Sequence, residues 1–161
     1  MNEYDFSPLN DKEFEALCAD LIGANKRVRF ERFKAGQDGG VDGRYLTPVS
    51  TEWILQAKHR SGKSLSQIAS HLRNTEAAKP AALKPAQYIL VVSHKLSRSN
   101  KKELVEALNA PCPVNVYGRE DLNDLLAHNP TIERRHFKLW ITVPPYYIPC
   151  SITQSMAAAM Q

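Results

Sequence analysis

The sequence predicts a mixed α/β domain, a five-stranded sheet flanked by helices in the order α-β-β-β-α-β-α-β-α. Three observations lead to this expectation. Short alternating or apolar runs, separated by Gly and Pro turns, fill residues 27–59. An unbroken apolar run, Tyr88 to Val92, reads as a strand buried on both faces. The segments around that run carry apolar residues at helical spacing.

Composition narrows the setting. A chain of 161 residues with 43% hydrophobic and 24% charged residues suits one globular domain rather than a disordered or fibrous one. Its 21 Lys and Arg against 17 Asp and Glu give a net charge of +4, compatible with a polyanionic partner. The cysteines Cys18, Cys112 and Cys150 are odd in number and form no C-x-x-C pair, so a reducing cytoplasm is expected. The acidic start Met1–Asp5 lacks the regions of a signal peptide. The longest aliphatic run, Ile89 to Val92, falls far short of the roughly 20 residues that span a bilayer.

Taken in order, residues 10–25 form the first helix, with Phe14, Leu17, Cys18, Leu21 and Ile22 as its apolar stripe. Asn10 or Asp11 caps its start, and Gly23 with Asn25 ends it. Glu15 lies at the edge of the stripe and reads either as a solvated acid or as one directed toward a buried site. Arg27 to Phe33 alternates and is expected to be a half-buried strand with a basic outer side. After the glycine-rich loop 34–40, Asp42 to Leu46 is a second strand, turned at Thr47-Pro48, and Glu52 to His59 a third. Ser64 to Lys79 is a helix stopped by Pro80. The Tyr88–Val92 strand comes next, then a helix capped by Ser97 or Ser99 with Leu104, Val105 and Leu108 inward. Val114 to Tyr117 is a short strand and Glu120 to Ala127 a helix. The β-α-β-α-β half is expected to be parallel. Ile132 to Trp140 is a last helix, whereas prolines at 144, 145 and 149 break the segment after it. The expectation is a domain over 1–141 and a linker, or the opening of a further domain, over 142–161.

The chemistry gathers between Asp38 and Lys58. On the Glu52–Lys58 strand, Ile54, Gln56 and Lys58 share one face. A lysine facing the helix-covered side of a sheet needs a carboxylate nearby, and Asp42 on the preceding strand is the candidate. Asp42 and Glu15 would repel one another unless a cation lay between them. Oxygen donors from Asp42, the Gln56 amide and a backbone carbonyl suit Mg²⁺, with Mn²⁺ as an alternative. Such an ion polarises a phosphate and acidifies a water, and Lys58 would orient that water or stabilise charge developing on the phosphorane. Asp38 is left with two roles, capping the turn or approaching the metal.

Phe14-Glu15 in the first helix, Asp38-Gly39-Gly40-Val41-Asp42, and Gln56-Ala57-Lys58 closing an apolar strand resemble the Mrr-like restriction endonucleases of the PD-(D/E)xK superfamily, in the branch where Gln replaces the second acid. The resemblance runs through Tyr88–Ser93 and covers roughly residues 9–128. It implies a restriction-endonuclease-like fold and a metal-dependent DNA endonuclease with Glu15, Asp42, Gln56 and Lys58 as catalytic groups, the first three also binding metal. A neutral amide binds a divalent ion more weakly than the carboxylate it replaces. A narrower resemblance, carried by Val28–Phe33, Ser70–Arg73, Tyr117–Leu122 and Glu133–Trp140, is to the N-terminal nuclease domain of bacterial STAND-type NTPases. It implies a role in antiphage defence, activation by homo-oligomerisation, and a C-terminal NTPase and sensor.

Basic residues flank the motif. Arg29, Arg32 and Lys34 precede it, and His59, Arg60 and Lys63 come after it; these are expected to meet the phosphates of double-stranded DNA. A third cluster, Lys95, Arg98, Lys101 and Lys102, reads as a DNA contact or as a solvated face. The five histidines show no zinc-ligand spacing with the cysteines. Gly62-Lys63-Ser64 ends like a phosphate-binding P-loop, but Ala57 stands where that motif requires Gly. The competing function class is a catalytically silent DNA-binding or oligomerisation module that keeps the nuclease fold.

Overall fold

The computed structural model describes residues 3–33, 41–59, 62–136 and 138–141. Asp38, Lys34, Arg60 and the segment 142–161 lie outside the described residues. The first helix, α1, spans Asp11–Lys26. Asn10 and Glu13 close a capping box at its start. It runs past Gly23 and ends at Arg27, whose φ of 56° is left-handed. Gly23 serves a close approach instead of a stop: a β-carbon there would stand 2.8 Å from the Val28 carbonyl oxygen.

Strands β1 (Gly43–Leu46) and β2 (Glu52–Lys58) form the antiparallel hairpin. β3 (Gln87–Val92) pairs parallel with β2, and β4 (Val114–Tyr117) parallel with β3. The sheet of the described residues therefore has 4 strands in the order β1-β2-β3-β4, not the five expected. The missing one is Arg27–Phe33. Its alternation is real, since Phe30 is buried and Glu31 exposed, but it meets the sheet through a single bridge between Glu31 and Arg44. Alternating burial needs only one covered side, whereas a strand needs a continuous ladder of partners.

The expected helix Ser64–Lys79 is also divided. α2 spans Leu65–His71, capped by Ser64 with Gln67. A π-helical turn, Leu72–Glu76, comes next, and α3 spans Ala78–Leu83. Pro80 falls in the first turn of α3, where no intrahelical N–H is needed, so it does not stop the helix. Lys84, left-handed at φ 48°, ends it instead. α4 spans Arg98–Leu108 with Leu104 and Leu108 buried, while Val105 is exposed. α5 spans Arg119–His128, and the expected last helix is two short ones, α6 (Pro130–Arg135) and α7 (Lys138–Ile141).

Strand alternation sorts the core onto two faces. Leu55, Ala57, Ile89 and Val91 pack with Phe14, Leu17, Leu21 and Leu122 on the α1 and α5 side. Ile54, Tyr88, Leu90 and Val92 pack with Ile68, Leu72, Leu104 and Leu108 on the α2 and α4 side. The fold is thus helices on both faces of a mixed sheet. No described helix is long and apolar enough to cross a membrane.

Candidate active site

The hairpin positions the first acid. The Asp42 N–H donates to the Leu55 carbonyl (3.2 Å), and Asp42 Oδ2 accepts the Ala57 N–H (2.7 Å). A side chain thus continues the β1–β2 ladder one rung beyond the strand, holding the carboxylate over the C-terminal end of β2. Burial pushes the Asp42 pKa up to about 6, and the nearby Glu15 charge adds to this against the Ala57 N–H, Lys58 and Lys12. Glu15 comes from α1, on the opposite side from α2, and is paired with Lys12 at 2.6 Å. The fully buried Cys18 of α1 has its thiol pKa raised by burial and then by the Asp42 and Glu15 charges. Asp42 and Glu15 thus act on one another electrostatically, whereas the carboxylate paired with Lys58 is Glu76 and not the expected Asp42.

Gln56 and Lys58 project from β2 toward α2. Gln56 is wholly buried. Its Oε1 accepts from the Tyr88 hydroxyl, and its Nε2 donates to Glu76 Oε2 (2.7 Å). Lys58 Nζ pairs with Glu76 Oε1 at 2.8 Å. Tyr88 keeps its proton, because burial and then the Glu76 and Asp42 charges raise its pKa.

Glu76 is the residue that motif reasoning passed over. It is 3% exposed and ends the π-helical turn. His71 (3.2 Å) and Lys79 join Gln56 and Lys58 around its carboxylate. Burial alone would raise its pKa, but the hydrogen bonds from Lys58, Lys79 and Gln56 outweigh that and hold it down at about 2. One signal was readable: Glu76 lies four residues beyond Leu72, so a charge falls on the apolar stripe of a helix.

The donor set suits a divalent cation in part. Asp42 and Glu15 are hard oxygen donors whose mutual repulsion a cation would relieve. The Gln56 oxygen, a neutral and weaker donor, accepts from the Tyr88 hydroxyl. Among the described residues no group of three or more His, Cys, Asp or Glu is arranged to hold a metal ion.

The expected DNA contacts separate. Lys63 lines a cleft of about 220 Å³ with Lys58, Gln67, Ile68 and His71. His59 faces the other side, its ring stacked on Phe14 at 4.8 Å, and lines a second cleft of about 200 Å³ with His94, Lys95 and Arg119. Arg29 and Arg32 border a groove of about 810 Å³ beside β1, whose lining includes none of the motif residues. In the third basic cluster, Lys95, Lys101 and Lys102 each pair with a carboxylate, respectively of Glu3, Asp121 and Glu106.

A family model described as restriction endonuclease, the Mrr catalytic domain, matches residues 6–126. An uncharacterized protein of Sinorhizobium fredii (strain NBRC 101917 / NGR234), y4cD, is 39% identical over 145 residues, which is 89% of this chain. The chain spans only 22% of that relative's length. The solved DNA modification-dependent restriction endonuclease AspBHI aligns with a TM-score of 0.46 and 18% identity, covering 81% of this chain and 35% of that one. A likeness at that level carries no argument.

Proposed function

The chain belongs to the restriction endonuclease family of Mrr catalytic domains, and from this premise we propose that it hydrolyses phosphodiester bonds of double-stranded DNA with a divalent ion, Mg²⁺ or Mn²⁺. Asp42 and Glu15 would hold the ion, with the Gln56 oxygen as a further donor. What supports this reading is the Asp42 carboxylate, just before β1, held by the Ala57 N–H of β2 within electrostatic reach of Glu15 of α1 and Lys58 of β2. Separate elements thus bring two acids and an ammonium to bear on one another, and the Glu15 charge disfavours ionised Asp42.

A bound divalent ion supplies charge for the scissile phosphate and acidity for a water. The chain's own residues do the rest. The Ala57 N–H fixes the Asp42 carboxylate. Lys58 presents its ammonium at the wall of the cleft shared with Lys63 and His71, where it can orient a water and stabilise charge on the phosphorane. Lys63 sits beside it to receive a neighbouring phosphate.

Plasmid incubated with the chain and Mg²⁺, Mn²⁺ or EDTA tests the reading. Cleavage should require the ion. Lys58→Ala and Asp42→Ala should each lower it by at least ~100-fold while leaving folding and most DNA affinity intact. Unchanged cleavage by both variants would overturn the assignment. One centre cuts one strand, so paired protomers are part of the proposal and double-strand breaks should grow when the chain is clustered.

A second reading, a silent DNA-binding or oligomerisation module, is favoured by one observation: both ends of the Gln56 amide are already hydrogen-bonded. Metal-independent DNA binding with no cleavage, even when clustered, would select it. We further propose that residues 1–141 form the effector domain of a larger cytoplasmic antiphage protein, joined through 142–161 to a STAND-type NTPase. The resemblance of Val28–Phe33, Ser70–Arg73, Tyr117–Leu122 and Glu133–Trp140 supports this, as does the greater length of the Sinorhizobium relative. Sequencing beyond Gln161 tests it.

A further inference from the structure

Glu76 lies 18 residues from Lys58 and 20 from Gln56, in a different layer of the fold, yet its carboxylate contacts both. We propose that Glu76 is a positioning residue of the nuclease site, supplying from the helical layer the negative charge that the neutral Gln56 does not, and so holding Lys58 and the Gln56 amide in one geometry. This rests on the nuclease reading above.

Each carboxylate oxygen takes one residue of the motif and one residue of its own helical segment. Oε1 meets Lys58 and His71, and Oε2 meets Gln56 and Lys79. The π-helical turn makes this possible. His71 and Glu76 are five residues apart, which in an α-helix separates side chains by about 140° around the axis. The wide turn, closed by the Ala77 N–H to the Leu72 carbonyl at 2.9 Å, brings them to one side.

The charge balance originates in the motif. Were position 56 acidic, that acid would lie on the same strand face as Lys58 and two residues away, able to balance it. With an amide there, Lys58 at 14% exposure needs its anion from elsewhere. Glu76 provides it, and accepts the amide hydrogens in the same contact. That contact also fixes which way the amide points: Nε2 toward Glu76 and Oε1 toward Tyr88. A buried ion pair kept only for stability is a poor choice beside a well-packed apolar pair. Its location between the two motif side chains points to positioning.

An exchange of charge tests the proposal. Glu76→Gln should lower kcat by about 10- to 100-fold with KM for DNA changed by less than about twofold, since no DNA-facing group is removed. Gln56→Glu alone should also be impaired, because two carboxylates would then meet where the amide and the carboxylate now touch. The double variant Gln56→Glu/Glu76→Gln, in which the two groups trade places, should recover to within about fivefold of the parent. Urea midpoints of all four proteins establish that each folds.

Parental cleavage with normal kcat in Glu76→Gln, or with a double variant no better than the poorer single, overturns the role of Glu76 and leaves the nuclease reading standing. No cleavage by the parent in Mg²⁺ or Mn²⁺ overturns the nuclease reading and the positioning role together. The urea cycle then reads the pair as structural if the singles destabilise and the double recovers.

Discussion

Asp42 is where stability and activity oppose each other at the scale of a residue. Its folded pKa, about 6, lies above the ordinary 3.8 because burial and then the Glu15 charge disfavour ionisation. The folded state therefore holds this proton more tightly than the unfolded chain. Stability from this group is full below pH ~4 and falls as pH rises through 6, by up to ~3 kcal/mol before solvent screening. Glu76 runs the other way: held at about 2, its contribution is full above 4.5 and lost as pH falls toward 2. In EDTA between pH 5 and 8, urea midpoints of the parent should decline while those of Asp42→Asn stay level and higher at pH 8. An equal slope in the two proteins would show that Asp42 is not the titrating group. Adding Mg²⁺ or Mn²⁺ at pH 8 should stabilise the parent and leave Asp42→Asn unmoved. The motif made Asp42 and Lys58 readable in the sequence, whereas no motif contains Glu76, whose importance depends on a partner in another layer.

Among elements, α1 shows how a local rule and a tertiary contact can give different answers at one position. Gly23 reads as a helix terminator, yet α1 continues through it to Lys26 and the chain returns so closely that the Val28 carbonyl abuts it. In an isolated helix Gly→Ala would add roughly 1 kcal/mol of stability. Here a β-carbon 2.8 Å from a backbone oxygen forces the 28–31 segment outward. Gly23→Ala should therefore destabilise by ~1–2 kcal/mol and loosen the Glu31–Arg44 bridge, seen as faster amide exchange at Glu31 and Arg44. A raised urea midpoint would refute that account. Asn10→Ala should cost about 1 kcal/mol through the lost cap without altering cleavage, because the cap precedes the site by a full turn. Helix caps were legible because they depend on neighbours in the chain. The π-helical turn was not: Leu72–Glu76 has an ordinary helical composition, and its widening serves contacts with Lys58 and Gln56.

Across the whole molecule, the charges expected to meet DNA lie on different surfaces. Lys63 shares the Lys58 cleft, His59 opens to the opposite side of the sheet, and Arg29 and Arg32 border the groove beside β1. A duplex seated on the catalytic edge should depend on Lys63 more than on Lys101 or Lys102, which already pair with Asp121 and Glu106. Lys63→Ala should reduce the slope of log affinity against log salt by about one, and Lys102→Ala should leave it unchanged. Equal effects of the two would point to binding through diffuse charge.

Taken alone, the amino-acid sequence determined the alternation of helices and strands, the parallel half of the sheet, and the motif from Asp42 to Lys58, because periodicity, caps and turns act over a few residues. It left the Arg27–Phe33 segment looking like a strand, because alternating burial is local and a hydrogen-bonded ladder is not. It also left Gln56 looking like a metal ligand free to bind. Only the tertiary structure placed Tyr88 on its oxygen and Glu76 on its nitrogen and on Lys58. Burial and charge, the forces that set those relations, depend on distance in space, so the spacing that puts Glu76 on the apolar stripe of its helix does not say which residues it meets.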